Sequence, residues 1–91
     1  MGRAEVFIMI RKPLSELQRL AYSLLKQNRE VTIEQLYIAV YGDAQDDLFR
    51  PLTNRTMQLR LAPMFKRINH KIAGEKIVPG DTKQTYKLTQ D

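Results

Sequence analysis

Val31-Thr32-Ile33-Glu34-Gln35-Leu36, closed by Tyr41-Gly42, marks both ends of one short helix and orders the elements on either side of it. Thr32 and Gln35 stand three residues apart, the spacing of a capping box in which each side chain accepts the other residue's backbone N–H. Val31 and Leu36 occupy the two positions of a hydrophobic staple around that cap, which sets the angle at which the chain enters the helix. Leu36, Tyr37 and Val40 then bury one side, and Gly42 supplies the left-handed residue that stops the helix after Tyr41.

Upstream, Ser15 and Gln18 repeat the capping-box spacing and predict a helix over Ser15–Gln27. Its stripe of Leu17, Leu20, Ala21, Leu24 and Leu25 at helical spacing is expected to face the core. Before Pro13, Glu5–Ile10 reads as a strand, and its nearly continuous hydrophobicity asks for cover on both faces or a pairing partner. We expect it to close a small sheet with a C-terminal hairpin; the competing reading pairs it with a second copy, as a homodimer through the N-terminal strand.

Downstream, Asp43–Leu52 lacks helical periodicity and reads as a surface loop, after which Asn54 is expected to cap a third helix. Leu61, Met64, Phe65, Ile68 and Ile72 share one face of that helix. Thr56, Arg60, Pro63, Arg67 and His70 fall opposite, with Lys66 and Lys71 near the edges. Pro63 removes a backbone hydrogen bond and crowds the preceding turn, so a kink or a break is expected there. Gly74 ends the helix, and Lys76–Val78, the turn Pro79-Gly80-Asp81 and Thr85–Leu88 read as a hairpin, with Tyr86 and Leu88 inward and Lys87 outward. The expected fold is α+β in one domain: residues 1–13 as N-terminal strand and lead-in, 14–74 as helical core, and 75–91 as hairpin.

Ninety-one residues hold one core, and 43% hydrophobic with 27% charged residues excludes a disordered chain. Cysteine is absent, which removes disulfides, thiolate metal sites and a cysteine nucleophile. The apolar run Val6–Ile10 is far shorter than the ~20 residues that cross a bilayer; no membrane partner is expected, and the reading is cytoplasmic. The net charge of +5 is distributed unevenly: Met1–Thr53 balances seven Lys/Arg against seven Asp/Glu, whereas Asn54–Asp91 sets eight Lys/Arg against three. Cations gathered in one part of a chain favour a polyanionic partner.

Leu24-Leu25, Val31–Leu36 with Tyr41-Gly42, Arg55-Thr56-Met57-Gln58-Leu59-Arg60-Leu61, Arg67-Ile68-Asn69 and the Ile77–Leu88 stretch ending Thr85-Tyr86-Lys87-Leu88 together resemble the OmpR-type effector domains of bacterial response regulators, over about Leu14–Leu88. That resemblance implies a winged helix-turn-helix that binds duplex DNA and regulates transcription, with the third helix in the major groove and the hairpin, or wing, against phosphates or the neighbouring minor groove. It also implies an RNA polymerase contact for the loop after the second helix. Pro63, and Asp81–Thr85 in place of a glycine-rich wing end, depart from the family pattern.

DNA recognition needs cations along a rigid element for phosphates and a few forked or amide side chains for base edges. Arg60 is the expected base reader, with Arg67, Gln58 and Thr56 beside it. Arg55, Lys66 and Lys71 suit the backbone, and Lys76, Lys83 and Lys87 make the hairpin a second phosphate-contacting edge. His70 is expected at the surface, and Asp43, Asp46 and Asp47 lack the glycine and terminal glutamate of a calcium loop. No catalytic constellation and no phosphate-binding glycine loop is visible, so neither an enzyme nor a cofactor is expected. The competing function is a protein-interaction module on the same fold.

Overall fold

The computed structural model describes residues 12–90, an α+β domain of three helices and a three-stranded antiparallel sheet. The expected strand Glu5–Ile10 lies outside the described residues. Helix α1 is Glu16–Gln27, capped by Ser15, whose Oγ accepts the Gln18 N–H while Gln18 Oε1 accepts the Ser15 N–H at 3.1 Å. A two-residue strand β1, Val31–Thr32, leads into helix α2, Ile33–Tyr41. Helix α3 is Asn54–Lys71, and strands β2, Glu75–Pro79, and β3, Thr85–Gln90, form the hairpin. No helix among the described residues is long and apolar enough to cross a membrane.

The Thr32–Gln35 capping box forms with both bonds at 3.1 Å, and Gly42, at φ +94°, donates its N–H to the Ile38 carbonyl at 2.8 Å. A side chain at that φ would strain the backbone, so this stop is specific to glycine.

The structure corrects the reading of four elements. The buried face of α1 keeps part of the expected stripe, with Ala21 and Leu25 buried and Leu24 packed against the core, but Leu17 and Leu20 are 44% and 46% exposed, and Gln18, with Leu14 before the helix, is buried in their stead. Gln18 enters because its amide oxygen serves the cap and also accepts from Lys71 Nζ at 2.8 Å, leaving no orphaned polar group. Second, Val31–Thr32, read only as the lead-in to α2, is also a strand of the hairpin's sheet: among the described residues the order is β1-β3-β2, with Val31 opposite Tyr86 and Thr32 opposite Thr85. Third, Thr53 caps α3, its Oγ1 accepting the Thr56 N–H at 3.2 Å, while Asn54 is the first helical residue. Fourth, α3 runs unbroken through Pro63. Pro63 is exposed, so the Leu59 carbonyl that loses its intrahelical partner lies on the side where water can reach it.

The core lies between the three helices and one face of the sheet. Val31, Leu36, Leu61 and Ile68 are its most completely buried large side chains, and the Phe65 and Tyr86 rings meet at a centroid distance of 4.6 Å. Two polar devices tie β2 down. Glu75, 5% exposed, accepts the Tyr22 hydroxyl and pairs with Lys26 Nζ at 3.1 Å, so its charge is compensated where it is buried. Burial, and then the bond to Glu75, push the Tyr22 hydroxyl above its ordinary pKa.

Asn69, projecting from α3, takes the place of a neighbouring strand: its Oδ1 accepts the Ile77 N–H at 2.7 Å and its Nδ2 donates to the Ile77 carbonyl at 3.2 Å. Asn69→Ala leaves both Ile77 groups unpaired at a half-covered edge and is expected to lower stability by about 2 kcal/mol in urea unfolding. Asn69→Asp keeps the acceptor for the Ile77 N–H but, when charged, sets its second oxygen against the Ile77 carbonyl, so its destabilisation is expected to be smaller in acid, where the protonated carboxyl can donate, than at neutral pH.

Candidate functional site

Helix α3 carries Arg55, Arg60, Lys66, Arg67 and Lys71 and no acidic residue in its 18 residues. Met57, Leu61, Phe65 and Ile68 bury one seam of it. At 100° per residue the opposite arc runs from Ala62 and Arg55 through Lys66, Leu59, His70 and Pro63 to Thr56 and Arg67. All of these but the half-buried Thr56 are exposed.

The flanks of α3 are committed to the rest of the fold. On the sheet side Gln58 Nε2 donates to the Tyr86 hydroxyl at 3.0 Å. On the side of α2, Arg60 Nη1 donates to the Tyr37 hydroxyl at 2.6 Å, and the Tyr37 ring lies 4.5 Å from that of Tyr41. The bond to Tyr37 raises the Arg60 pKa further above its ordinary value. Lys71 is drawn toward α1 by Gln18. Thr56 Oγ1 accepts from Thr53 Oγ1 at 3.0 Å, within the cap.

The structure therefore divides the ten residues that the sequence singles out. Arg55, Lys66 and Arg67 reach outward from α3 with no hydrogen-bond or ion-pair partner among the described residues, and Lys83 does so from the hairpin turn. Gln58, Arg60 and Lys71 have their polar ends engaged, and Lys87 pairs with Asp81 at 2.9 Å. Lys76 is exposed on β2. Arg60, expected as the leading base reader, is exposed and gives its Nη1 to a phenol of the same chain, and neither end of that bond is visible from local spacing.

The turn of the hairpin is set against the start of α3. Asn54 Nδ2 donates to Gln84 Oε1 at 2.7 Å, which places Lys83 beside the helix end that carries Arg55. The turn is held open by Glu30, whose Oε1 accepts the Thr82 N–H at 3.1 Å and the Thr85 hydroxyl at 3.0 Å. Gly80 makes room for this, since a Cβ there would come within 2.2 Å of Thr85 Oγ1. Sequence reading missed Asn54, Gln84 and Glu30 in these roles, as Glu30 and Thr82 are 52 residues apart and share no motif. It also missed Leu59, 66% exposed, although the same helical projection places it on the outer arc.

The loop between α2 and α3 is ordered by Asp46. Its Oδ1 accepts the Leu48 and Arg50 N–H groups, each at 2.9 Å, and its Oδ2 accepts Arg50 Nε at 2.9 Å. These bonds, that of the Arg50 N–H foremost, hold the Asp46 carboxyl below the usual aspartate range. The tip shows Leu48 and Phe49 to solvent at 69% and 81% exposure, Phe49 with φ +59°. Among the described residues no group of three His, Cys, Asp or Glu side chains could hold a metal ion.

Comparison with family models, curated proteins and solved structures finds no match to this chain.

Hydrogen bonds from Thr82, side chain and backbone, hold the Glu30 carboxyl below the usual glutamate range. A depressed carboxyl supports the fold above its unfolded pKa, and that support is lost as pH falls through the folded value. The hairpin turn is therefore expected to loosen only in acid. In NMR titration the Thr82 amide should follow Glu30 with a midpoint below the ordinary glutamate value, and in Glu30→Gln that amide step should vanish.

Proposed function

We propose that this chain is a winged helix-turn-helix domain that binds duplex DNA, with the outer arc of α3 in the major groove and the β2–β3 hairpin, as the wing, against the backbone. The observation that supports it is the uncompensated charge of α3: Arg55, Lys66 and Arg67 project outward from a helix without a single carboxylate. An ordinary solvated helix surface intersperses both signs, whereas cations along one rigid rod suit phosphates lining a groove. Lys83, brought next to the start of α3 by the Asn54–Gln84 bond, extends the same surface onto the hairpin. Arg60 and Gln58 act in this reading as positioning residues, fixing the roll of α3 against Tyr37 and Tyr86. Transcriptional regulation is the use that the resemblance to OmpR-type domains suggests.

A protein-interaction role is favoured by one specific observation, the ordered tip that exposes Leu48 and Phe49 away from the core. An RNA polymerase contact there and a homodimer through residues 5–10 both belong to this second reading.

Fluorescence anisotropy with a labelled 24-base-pair duplex across a salt series separates the two. Neutralising about six phosphates should cost ~10³-fold in affinity between 50 and 200 mM salt. Joint replacement of Arg55, Lys66 and Arg67 by alanine should reduce the slope of log K against log salt by about three. Absence of salt-dependent binding by the wild-type chain would remove the DNA reading and leave the adaptor.

A further inference from the structure

The outer arc of α3 is not uniformly basic. Leu59, Ala62 and Pro63, at i, i+3 and i+4, make one exposed apolar strip along its middle, with Leu59 66% exposed. A single exposed leucine is ordinary on a protein surface. This strip, however, has a cationic frame: Arg55 lies one turn before Leu59, and Lys66 and Arg67 lie one turn after Ala62 and Pro63. The frame spans Arg55 to Lys66, about 16 Å along the helix axis at 1.5 Å per residue, comparable with the ~12 Å width of a major groove.

We infer that Leu59, with Ala62 and Pro63 beside it, reads the 5-methyl group of thymine in the major groove. This rests on the DNA-binding reading above and adds what the site prefers. Base edges are ordinarily read by forked or amide side chains, and of those on α3 Asn54, Gln58, Arg60 and Asn69 are bonded within the chain, while Arg55 and Arg67 stand at the two ends of the strip. The centre of the outer arc therefore faces the groove with hydrocarbon, while its two ends carry charge. Among the four bases only thymine shows a methyl group at the major-groove edge, and apolar side chains are its chemical complement. A protein partner would leave the cations of the frame without counter-charges unless it were acidic at both ends of the strip. Duplex DNA supplies a methyl between two phosphate walls in one ligand.

The test uses alternating 24-base-pair duplexes that differ only at the pyrimidine 5-position: thymine against uracil opposite adenine, and 5-methylcytosine against cytosine opposite guanine. Wild-type protein is expected to bind the methylated member of each pair more tightly, about fourfold for each methyl contacted. Leu59→Ala should abolish both preferences while keeping the wild-type salt slope. Leu59→Gln, which keeps length but not apolar character, provides a second variant, and circular dichroism checks that each is folded.

Equal, salt-dependent binding of thymine and uracil duplexes by the wild type would overturn the methyl contact and leave DNA binding standing. So would a preference that survives in a folded Leu59 variant. Salt-independent or absent binding of all four duplexes would overturn both this inference and the reading beneath it.

Discussion

The roll of α3 about its own axis is what the rest of the molecule depends on. Its buried seam of Met57, Leu61, Phe65 and Ile68 is apolar and therefore tolerant of small rotations, since dispersion and burial carry little direction. Direction comes from hydrogen bonds on both flanks. Gln58 meets Tyr86 and Asn69 meets Ile77 on the side of the sheet, while Arg60 meets Tyr37 and Lys71 meets Gln18 on the side of the helices. A rotation that improved one set would stretch the other. No buried side-chain polar atom among the described residues lacks a partner, so these bonds satisfy groups that burial would otherwise penalise.

This arrangement also sorts the charge. Cations on the flanks are engaged within the chain, and cations on the outer arc are left for solvent or a ligand. Net charge alone does not make that distinction. Arg60 and Arg67 fall near each other on a helical projection, yet Tyr37 takes the first and nothing among the described residues takes the second. A surface suited to phosphates therefore follows from which basic residues the tertiary structure leaves unpaired.

Among the described residues, the edge of the sheet at β2 is closed by the same helix. Asn69 occupies both backbone groups of Ile77, and Pro79, two residues on, has no N–H to offer. With β1 on the other side of β3, the outer edge of β2 presents a poor template for an added strand. Glu75, held by Tyr22 and Lys26, fixes the far end of that strand to α1. The hairpin is thus anchored at its root by α1 and α3 and at its turn by Glu30 and Asn54.

Features whose partners lie within a few residues were legible without coordinates: the Ser15–Gln18 and Thr32–Gln35 boxes, the Gly42 stop, the seam of α3 and the hairpin. Each is governed by local backbone geometry, so spacing and residue type suffice. Features decided by distant partners were not. Gln18 displaces Leu17 and Leu20 from the core because Lys71, 53 residues away, completes its hydrogen bonding. Val31–Thr32 becomes a strand only because β3 lies beside it, and Pro63 is tolerated because that turn of the helix faces outward. The chain by itself determined its helices, the caps of α1 and α2 and the concentration of positive charge after Thr53. Which cations remain free, and that an apolar strip stands between them, was decided only by the tertiary structure, because a side chain's availability depends on the neighbours that folding brings to it.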